Sequence, residues 1–318
     1  MAKGCQHTLK KEVKVAGIGL HTGEKVYMTI KPAPQDFGIC FKRIDDGKEA
    51  IIPATYSNVC FTQLCTTIGI QTSEGMKTVS TIEHLMAALF GLGVDNALIE
   101  IHGPEVPSMD GSAAPFYSIM KKAGLRPQNS PRKFLKIKKR VAISIDDKEI
   151  SIEPANHFLV DFEIDFDHSL IEKQRFISKI NSKCFERHIA RARTFGFLHE
   201  VEYLRKNGFA RGGSLENAVV IGENGVLNGD GLRFPDEFVR HKVLDLIGDL
   251  YLLGYRILGK VVSKKSGHTL HNALTHELIA QKDAWELVEA HGKWPIPGIF
   301  VPSIKEKVEM PHPIPSPA

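Results

Sequence analysis

Cysteines are scarce in this 318-residue sequence, and their spacing excludes two kinds of site. There are five, an odd number, and no two of them form a C-x-x-C pair. A disulfide frame and a cysteine-based zinc site are therefore excluded, and the pattern is typical of reduced thiols in a cytoplasmic protein. The five are Cys5, Cys40, Cys60, Cys65 and Cys184.

Long apolar runs and an excess of one charge are also absent. No window of about twenty residues is free of charged side chains, so we expect no membrane span. The first residues lack the apolar core of a signal peptide. The 41 basic and 37 acidic residues give a net charge of +4, which predicts no nucleic-acid partner. We therefore expect a cytoplasmic protein without stable membrane insertion and without an obligatory protein partner.

Glycine motifs that bind phosphate are missing as well. The chain has no G-x-x-x-x-G-K-[ST] segment, and the stretch from Gly17 to Thr22 fails the G-x-G-x-x-G pattern. These absences leave a phosphotransferase without support.

The segment Leu125–Pro131 contains two prolines that interrupt every periodic pattern, and it divides the chain into halves. Each half starts with short β-like runs and continues with helical patterns. We therefore expect an α+β protein with a first domain at 1–127 and a second at 128–303. Within the second, residues 194–234 form an insertion that we expect to face the substrate. The proline-rich residues 304–318 are predicted to form a disordered tail.

The two halves repeat the same order of parts, since in each a helix precedes a strand and a second helix. His84 precedes His241 by 157 residues, and Gly111 precedes Gly267 by 156. The near-equal offsets favour duplication of a strand-and-two-helix unit, although the few identities between the halves leave chance agreement open.

One predicted helix carries three polar side chains on a single face. His241, Asp245 and Asp249 follow one another at i, i+4 and i+8, which places them in one strip of an α-helix while apolar residues cover the other side. An imidazole and a carboxylate one turn apart suit a divalent cation such as zinc. The alternative is a solvated or salt-bridged polar face.

A third ligand becomes available if the halves are related by pseudo-symmetry, because His84 then begins the helix equivalent to that of His241. Three protein ligands leave a fourth position for water, as in hydrolytic zinc sites. Glu83 is placed to accept a proton from that water. Two alternatives stay open: a buried core histidine at His84, and a capping box at Ser80–Glu83, in which the carboxylate only bonds the helix start.

Other polar residues are candidates for the remaining chemistry. Thr194 is a candidate donor to a developing oxyanion. His268 is the best remaining acid, and because a predicted helix start disfavours an imidazolium it needs a carboxylate neighbour, a role that Asp249 can fill. Lys242 borders the polar face and is a candidate contact for an anionic substrate group. His271 is interpreted as a packing or surface residue.

Five longer motifs resemble those of the UDP-3-O-acyl-N-acetylglucosamine deacetylase family, the zinc amidases of the committed step of lipid A synthesis in Gram-negative bacteria. The resemblance extends from Gly17 to about Pro302. The motifs are Thr81-Ile82-Glu83-His84-Leu85, Met109-Asp110-Gly111-Ser112-Ala113-Ala114-Pro115-Phe116, Arg191-Ala192-Arg193-Thr194-Phe195-Gly196-Phe197, Asp236-Glu237-Phe238-Val239-Arg240-His241-Lys242 and Lys265-Ser266-Gly267-His268.

The resemblance implies two similar α+β domains whose helices pack face to face with the site between them. It implies hydrolysis of the N-acetyl group of UDP-3-O-(3-hydroxyacyl)-N-acetylglucosamine to acetate and the free amine, with Zn²⁺, or Fe²⁺, which the same ligands accept. The implied roles are metal binding by His84, His241 and Asp245, general-base catalysis by Glu83, acid or cationic stabilisation by His268, orientation of His268 by Asp249, and oxyanion assistance by Thr194.

Substrate contacts are also implied by the resemblance. The implied contacts are Phe195, Lys242 and Lys148 for the sugar nucleotide, Val201, Ala210, Gly213 and Ser214 along a passage for the fatty acyl chain, and Leu64 and Cys65 near the metal.

The competing hypothesis is a non-catalytic protein that holds a nucleotide-linked lipid in the same groove. The metal content of the purified protein distinguishes this binding protein from the deacetylase.

Overall fold

A computed structural model describes residues 4–45 and 48–290, and the tail predicted at 304–318 lies outside them. The described residues of the first half form nine strands and two helices, with a short 3-10 turn at Tyr56–Asn58. In chain order these elements are β1 (Cys5–Leu9), β2 (Val13–Ile18), β3 (Lys25–Pro32), β4 (Ile39–Asp45), β5 (Lys48–Pro53), β6 (Val59–Phe61), β7 (Thr67–Thr72), β8 (Gly75–Val79), α1 (Glu83–Leu92), β9 (Ala97–His102) and α2 (Ala114–Ala123).

The second half, described as far as residue 290, adds eleven strands and four helices, and the first of these helices continues into a π-helical turn at Phe185–Ile189. The elements are β10 (Leu125–Pro131), β11 (Lys133–Ile137), β12 (Val141–Ile145), β13 (Lys148–Pro154), β14 (Phe158–Asp165), β15 (Lys173–Lys179), α3 (Ser182–Cys184), β16 (Phe195–Phe197), α4 (Leu198–Lys206), β17 (Val219–Gly222), β18 (Gly225–Val226), α5 (Glu237–Tyr251), β19 (Arg256–Lys264), α6 (His268–Ala280) and β20 (Trp285–Glu289).

The two large sheets share one topology. The first has the strand order β2-β3-β9-β4-β5, and only β4 and β9 are parallel neighbours. In the second, β19 replaces β9: it pairs antiparallel with hairpin β12–β13 and parallel with hairpin β14–β15. Strands β11 and β20 extend this sheet to seven. The shared order and directions confirm the two similar α+β units, although the domain limits themselves stay a prediction.

Helices α1 and α5 pack against each other, and α5 also packs against β14 and β15 of the second sheet. All of α1 except Leu92 is buried, as expected for a helix that is apolar on nearly every side. On the sheet side, β3 shows the alternation of a strand with one covered face, since Val26, Met28 and Ile30 are buried. In the described part of the chain the longest helix has 15 residues, and none has the length and apolarity needed to cross a bilayer.

One expectation about the backbone was wrong. The segment Leu125–Pro131, interpreted as a break, is strand β10, which pairs antiparallel with β1. Prolines are tolerated there because this sheet has two strands, so one side of each strand needs no ladder hydrogen bonds. The insertion predicted at 194–234 contains a small sheet of β16, β17 and β18 together with helix α4.

The close approach of α1 and α5 depends on a glycine. A Cβ atom added at Gly248 of α5 would collide with the carbonyl oxygen of Glu83 in α1. The obstacle is backbone, so a side chain at this position requires the two helices to separate.

Gly248→Ala is therefore expected to lower the free energy of unfolding by about 2 kcal/mol, a typical cost of overpacking a core. Urea denaturation measures the change. Gly229→Ala is the matched control, because its Cβ would meet open space, and it should alter the free energy by less than about 0.5 kcal/mol. Equal stability of the two variants would contradict the tight helix contact.

Candidate active site

Three buried side chains from α1 and α5 converge at the helix contact. The Nε2 atoms of His84 and His241 lie 3.5 and 3.3 Å from Oδ1 of Asp245. The two imidazole rings meet edge to face, with their centroids 4.9 Å apart. The structure thus brings together the three residues predicted as metal ligands, and their ligand atoms all lie within 4.8 Å of one another.

The chemical state of this cluster suits a divalent cation. Oδ1 of Asp245 is buried and has no hydrogen-bond partner, which is costly unless a cation or another donor satisfies it. Nδ1 of His241 donates to the carbonyl oxygen of Ala192 at 3.1 Å, which leaves the Nε2 lone pair directed at the cluster. Burial lowers the pKa of His241 to about 3, so its imidazole is neutral, as a metal ligand must be.

Asp245 supplies the negative charge of the cluster. Burial by itself would raise its pKa, but the Lys242 ammonium beside it holds the pKa well below the usual range of an aspartate. The Lys242 ammonium lies 3.1 Å from Oδ2, the oxygen that the two imidazoles do not face. The residues present therefore fit a metal held by two imidazoles and one carboxylate oxygen.

A buried ion pair fixes the segment that orients His241. Arg193 donates to Oε1 of Glu237 through both its backbone N–H, at 3.0 Å, and its Nε, at 2.9 Å. Glu237 is the first residue of α5, so the pair ties residues 192–195 to the helix that carries two of the ligands. The Ala192 carbonyl is thereby held against His241.

Glu83 is held from outside its own helix. Its Oε2 accepts a hydrogen bond of 3.0 Å from the backbone N–H of Thr66. The capping box does not form, because the Ser80 N–H donates to the Pro104 carbonyl and no side chain caps α1. Burial raises the pKa of Glu83, which favours a carboxylate able to take up a proton.

A second buried group lies beside the ligand cluster and consists of Asp249, His268, His271 and Thr66. Nδ1 of His268 and Nδ1 of His271 each lie 2.7 Å from Oδ2 of Asp249, and the Thr66 hydroxyl donates to Oδ1 at 2.6 Å. Both carboxylate oxygens therefore already have protein partners, unlike Oδ1 of Asp245. This arrangement suits proton transfer more than metal binding.

Asp249 makes His268 a cation at neutral pH. Burial alone would lower the pKa of His268, but the charge and hydrogen bond of Asp249, with Glu83 and Asp245 nearby, raise it to about 9. The pKa of Asp249 is held well below its usual range, since the two imidazoles outweigh the effect of burial. The predicted pairing of Asp249 with His268 is present in the structure.

Comparison with known proteins places the chain in a family. A sequence model of the UDP-3-O-acyl N-acetylglycosamine deacetylase family matches residues 6–280. A protein of Teredinibacter turnerae called UDP-3-O-acyl-N-acetylglucosamine deacetylase is 51% identical over 285 residues, which cover 89% of this chain and 93% of the relative. The protein of the same name in Syntrophotalea carbinolica is also 51% identical over 285 residues, which cover 90% of this chain and 91% of the relative. This chain belongs to that deacetylase family. The protein of the same name in Cellvibrio japonicus is 48% identical over 294 residues, covering 92% of this chain and 96% of its own.

In this deacetylase-family chain, Phe195 and Lys242 lie beside His241, and a third predicted residue, Thr194, lies in the segment that contacts it. The Phe195 ring contacts the His241 ring edge to face, with 6.3 Å between centroids. Lys242 Nζ lies 5.7 Å from the centre of the Phe195 ring. Thr194 follows the Ala192–Arg193 segment, and its backbone N–H donates to the Gly111 carbonyl at 2.8 Å. Phe195 and Lys242 therefore border the ligand cluster, whereas Thr194 is placed only by its segment, whose Ala192 carbonyl binds His241.

Two of the residues predicted for the acyl passage, Ala210 and Gly213, lie where the inserted segment meets the first half of the chain. Backbone hydrogen bonds join Arg211 to His21 and Gly212 to Leu20. The rings of His21 and Phe61 pack on Phe209 and make this junction apolar. Of the predicted residues, Ala210 donates to Nδ1 of His21, Gly213 donates to the Ala210 carbonyl, Val201 is half-buried on α4, and Ser214 is exposed.

Leu64 and Cys65 precede Thr66, the residue that binds both Glu83 and Asp249. Leu64 has a left-handed backbone (φ 65°) and leaves half its side chain exposed. Cys65 is buried, and burial raises the pKa of its thiol to about 12, so the thiol is protonated at neutral pH. It is not one of the three side chains whose ligand atoms converge.

Lys148 is a predicted sugar-nucleotide contact for which the structure shows no contact with the ligand cluster. It is exposed at the start of β13, beside Asp147, whose carboxylate pairs with Lys265 at 2.9 Å. Lys265 lines a cleft together with Phe166 and His168. The Phe166 ring contacts Phe195, whose ring contacts His241, so two aromatic rings link this cleft to the ligand cluster.

Three contributions to the site were missed from the sequence: the Thr66 hydroxyl, the Ala192 carbonyl and His271. His271 was interpreted as a packing or surface residue, yet it is fully buried and bonds Asp249. Its spacing from His268, at i+3 on one helix, was the available signal.

Proposed function

We propose that this chain hydrolyses the N-acetyl group of a UDP-3-O-(3-hydroxyacyl)-N-acetylglucosamine, releasing acetate and the free amine in the committed step of lipid A synthesis. The observation that carries the proposal is the orphaned Oδ1 of Asp245 facing two imidazoles, with Glu83 on the adjoining helix. Family membership gives the substrate class. The cytoplasmic location inferred from the free cysteines stays a prediction.

The metal is assigned to His84, His241 and Asp245. A divalent cation bound there would polarise the acetyl carbonyl and lower the pKa of a water molecule toward neutrality. Zinc is proposed, and ferrous iron accepts the same ligand types.

Glu83 is assigned as the general base. The Thr66 N–H fixes one of its oxygens, which orients the carboxylate before substrate binds. Because burial raises its pKa, the Glu83 carboxylate is a stronger base toward the attacking water than the carboxylate of an exposed glutamate.

His268 is assigned as the acid that protonates the leaving amine. With a pKa of about 9 it holds its proton at neutral pH and loses it above that value. Activity should therefore decline as pH rises through about 9.

Thr194 is assigned to assist the oxyanion, since its segment is held against His241.

Substrate binding is assigned to the two sides of the cluster. The sugar nucleotide is proposed to meet Phe195, Lys242 and Lys148, because cationic and aromatic side chains suit phosphates and bases. The acyl chain is proposed to follow the apolar junction of the inserted segment with the first half, bordered by Leu64, Cys65, Val201, Ala210, Gly213 and Ser214.

Acetate release from synthetic substrates of defined acyl length tests the function. The metal-loaded protein should release acetate from the 3-O-hydroxyacyl compounds, and its kcat/KM should fall at least about tenfold for the same UDP-sugar without the acyl chain, because remote binding energy is lost. Binding of the acylated compounds without any acetate release would instead favour the non-catalytic lipid-nucleotide binder.

A further inference from the structure

Two histidines share one oxygen of Asp249. His268 and His271 both place Nδ1 at 2.7 Å from Oδ2, while the other oxygen accepts from Thr66. Asp249 and His271 are almost completely buried, at 4% and 0% exposure, so solvent water does not compete for these hydrogen bonds. A charged carboxylate only accepts hydrogen bonds, so both Nδ1 atoms carry a proton.

The partners of His271 fix its charge. Its Nε2 lies 2.9 Å from the Ser266 hydroxyl, which lies 2.6 Å from the Ser263 hydroxyl. With Nδ1 protonated, a neutral ring accepts the Ser266 proton at Nε2, and Ser263 can donate to Ser266 in turn. Burial lowers the pKa of His271, in agreement with a neutral ring. Asp249 Oδ2 thus binds one imidazolium, His268, and one neutral imidazole, His271.

We propose that His271 is a positioning residue for the proton-transfer histidine: by donating to the same carboxylate oxygen, it weakens the hold of Asp249 on the His268 proton. This inference rests on the proposed role of His268 as the acid. Each hydrogen bond to a carboxylate stabilises its charge and makes it a poorer partner for a second proton donor. An acid held too firmly transfers its proton slowly.

Groups from four further parts of the chain surround the two histidines. Phe162 of β14 contacts the His271 ring edge to face, with 6.3 Å between centroids. Among the described residues, the hydrogen bonds of the His271 ring go to Asp249 and Ser266. The titratable groups that face His268 are Asp249 and Asp245 of α5, Glu83 of α1, His271 of α6 and His21 of the β2–β3 connection.

The test is the pH dependence of the metal-loaded His271→Leu variant. Leucine removes the donor to Asp249, so the basic limb of the kcat/KM profile should move up by about one pH unit, with a several-fold lower kcat at neutral pH. The same shift should appear in an NMR titration of labelled His268, identified by comparison with His268→Gln. His271→Asn, whose side-chain N–H can still reach Asp249, should bring the limb back toward the wild-type position.

Two further variants keep the result interpretable. Phe162→Leu alters the packing on His271 but no hydrogen bond of Asp249, and should leave the basic limb in place. Ser266→Ala removes the hydroxyl that polarises His271, and should shift the limb in the same direction by less, which tests the idea even if His271→Leu does not fold.

The proposal would be overturned if neither the basic limb of the kcat/KM profile nor the His268 titration moved in His271→Leu and Ser266→Ala. If only Ser266→Ala folds, the absence of both shifts in that variant would be sufficient to overturn it. The NMR titration needs no substrate. A wild-type protein without deacetylase activity would therefore refute the proposed function and still leave the coupling of the two histidines measurable.

Discussion

Replacing Glu83 by glutamine is expected to reduce turnover at least about a hundredfold, the scale of a lost general base, while the metal stays bound. The amide has nearly the same volume, and its oxygen can still accept the Thr66 N–H that holds Oε2 in the wild type. What it loses is the ability to take up a proton. Because Glu83 is not among the three converging ligand atoms, the cation site itself is unchanged.

Two measurements separate this effect from damage to the fold. Metal analysis of the purified variant should give the wild-type stoichiometry, and its unfolding midpoint should remain close to that of the wild type. Turnover within threefold of wild type would remove Glu83 from proton transfer and reduce it to a buried carboxylate that fixes the Thr66 backbone.

Replacing His241 by alanine is expected to abolish both metal binding and turnover. Loss of a residue that only orients a ligand typically weakens metal binding about 10- to 100-fold, so loss of a ligand itself should cost at least the upper end of that range. In this variant the buried Oδ1 of Asp245 would have neither a cation nor the His241 ring, which lies 3.3 Å away in the wild type. Metal content after dialysis and acetate release at saturating substrate measure the two effects.

His276→Ala is the matched control for that variant. His276 is an exposed histidine of α6 whose ring contacts Tyr56, and it takes no part in the ligand cluster. It should retain metal and turnover. A His241→Ala protein that binds one equivalent of metal as tightly as the control would show that the ion is held elsewhere.

The ligand face of α5 could be predicted because it is a local property. His241, Asp245 and Asp249 share a strip of one helix whatever the rest of the chain does. The link to His84 needed the repeat of the two halves, and the structure shows its physical basis in two sheets with the same strand order around β9 and β19.

Contacts between distant segments could not be read from local patterns. Thr66 and Asp249 are 183 residues apart in the sequence, and no motif around either residue indicates that their side chains form a hydrogen bond. The capping-box motif at Ser80–Glu83 was misleading for the same reason: tertiary partners at Pro104 and Thr66 took the groups that a local cap would have used. Strand β10 likewise forms because β1 is available to pair with it, against the local preference of its prolines.

Restoring metal to stripped protein tests the central claim most directly. The chain should be freed of metal with a chelator and titrated with zinc, and in parallel with ferrous iron, while acetate release from the acylated UDP-sugar is followed. Assignment of the metal to His84, His241 and Asp245 predicts no turnover without metal, full turnover at one equivalent, and no recovery in His241→Ala at that concentration. Full turnover of the metal-free protein would contradict it.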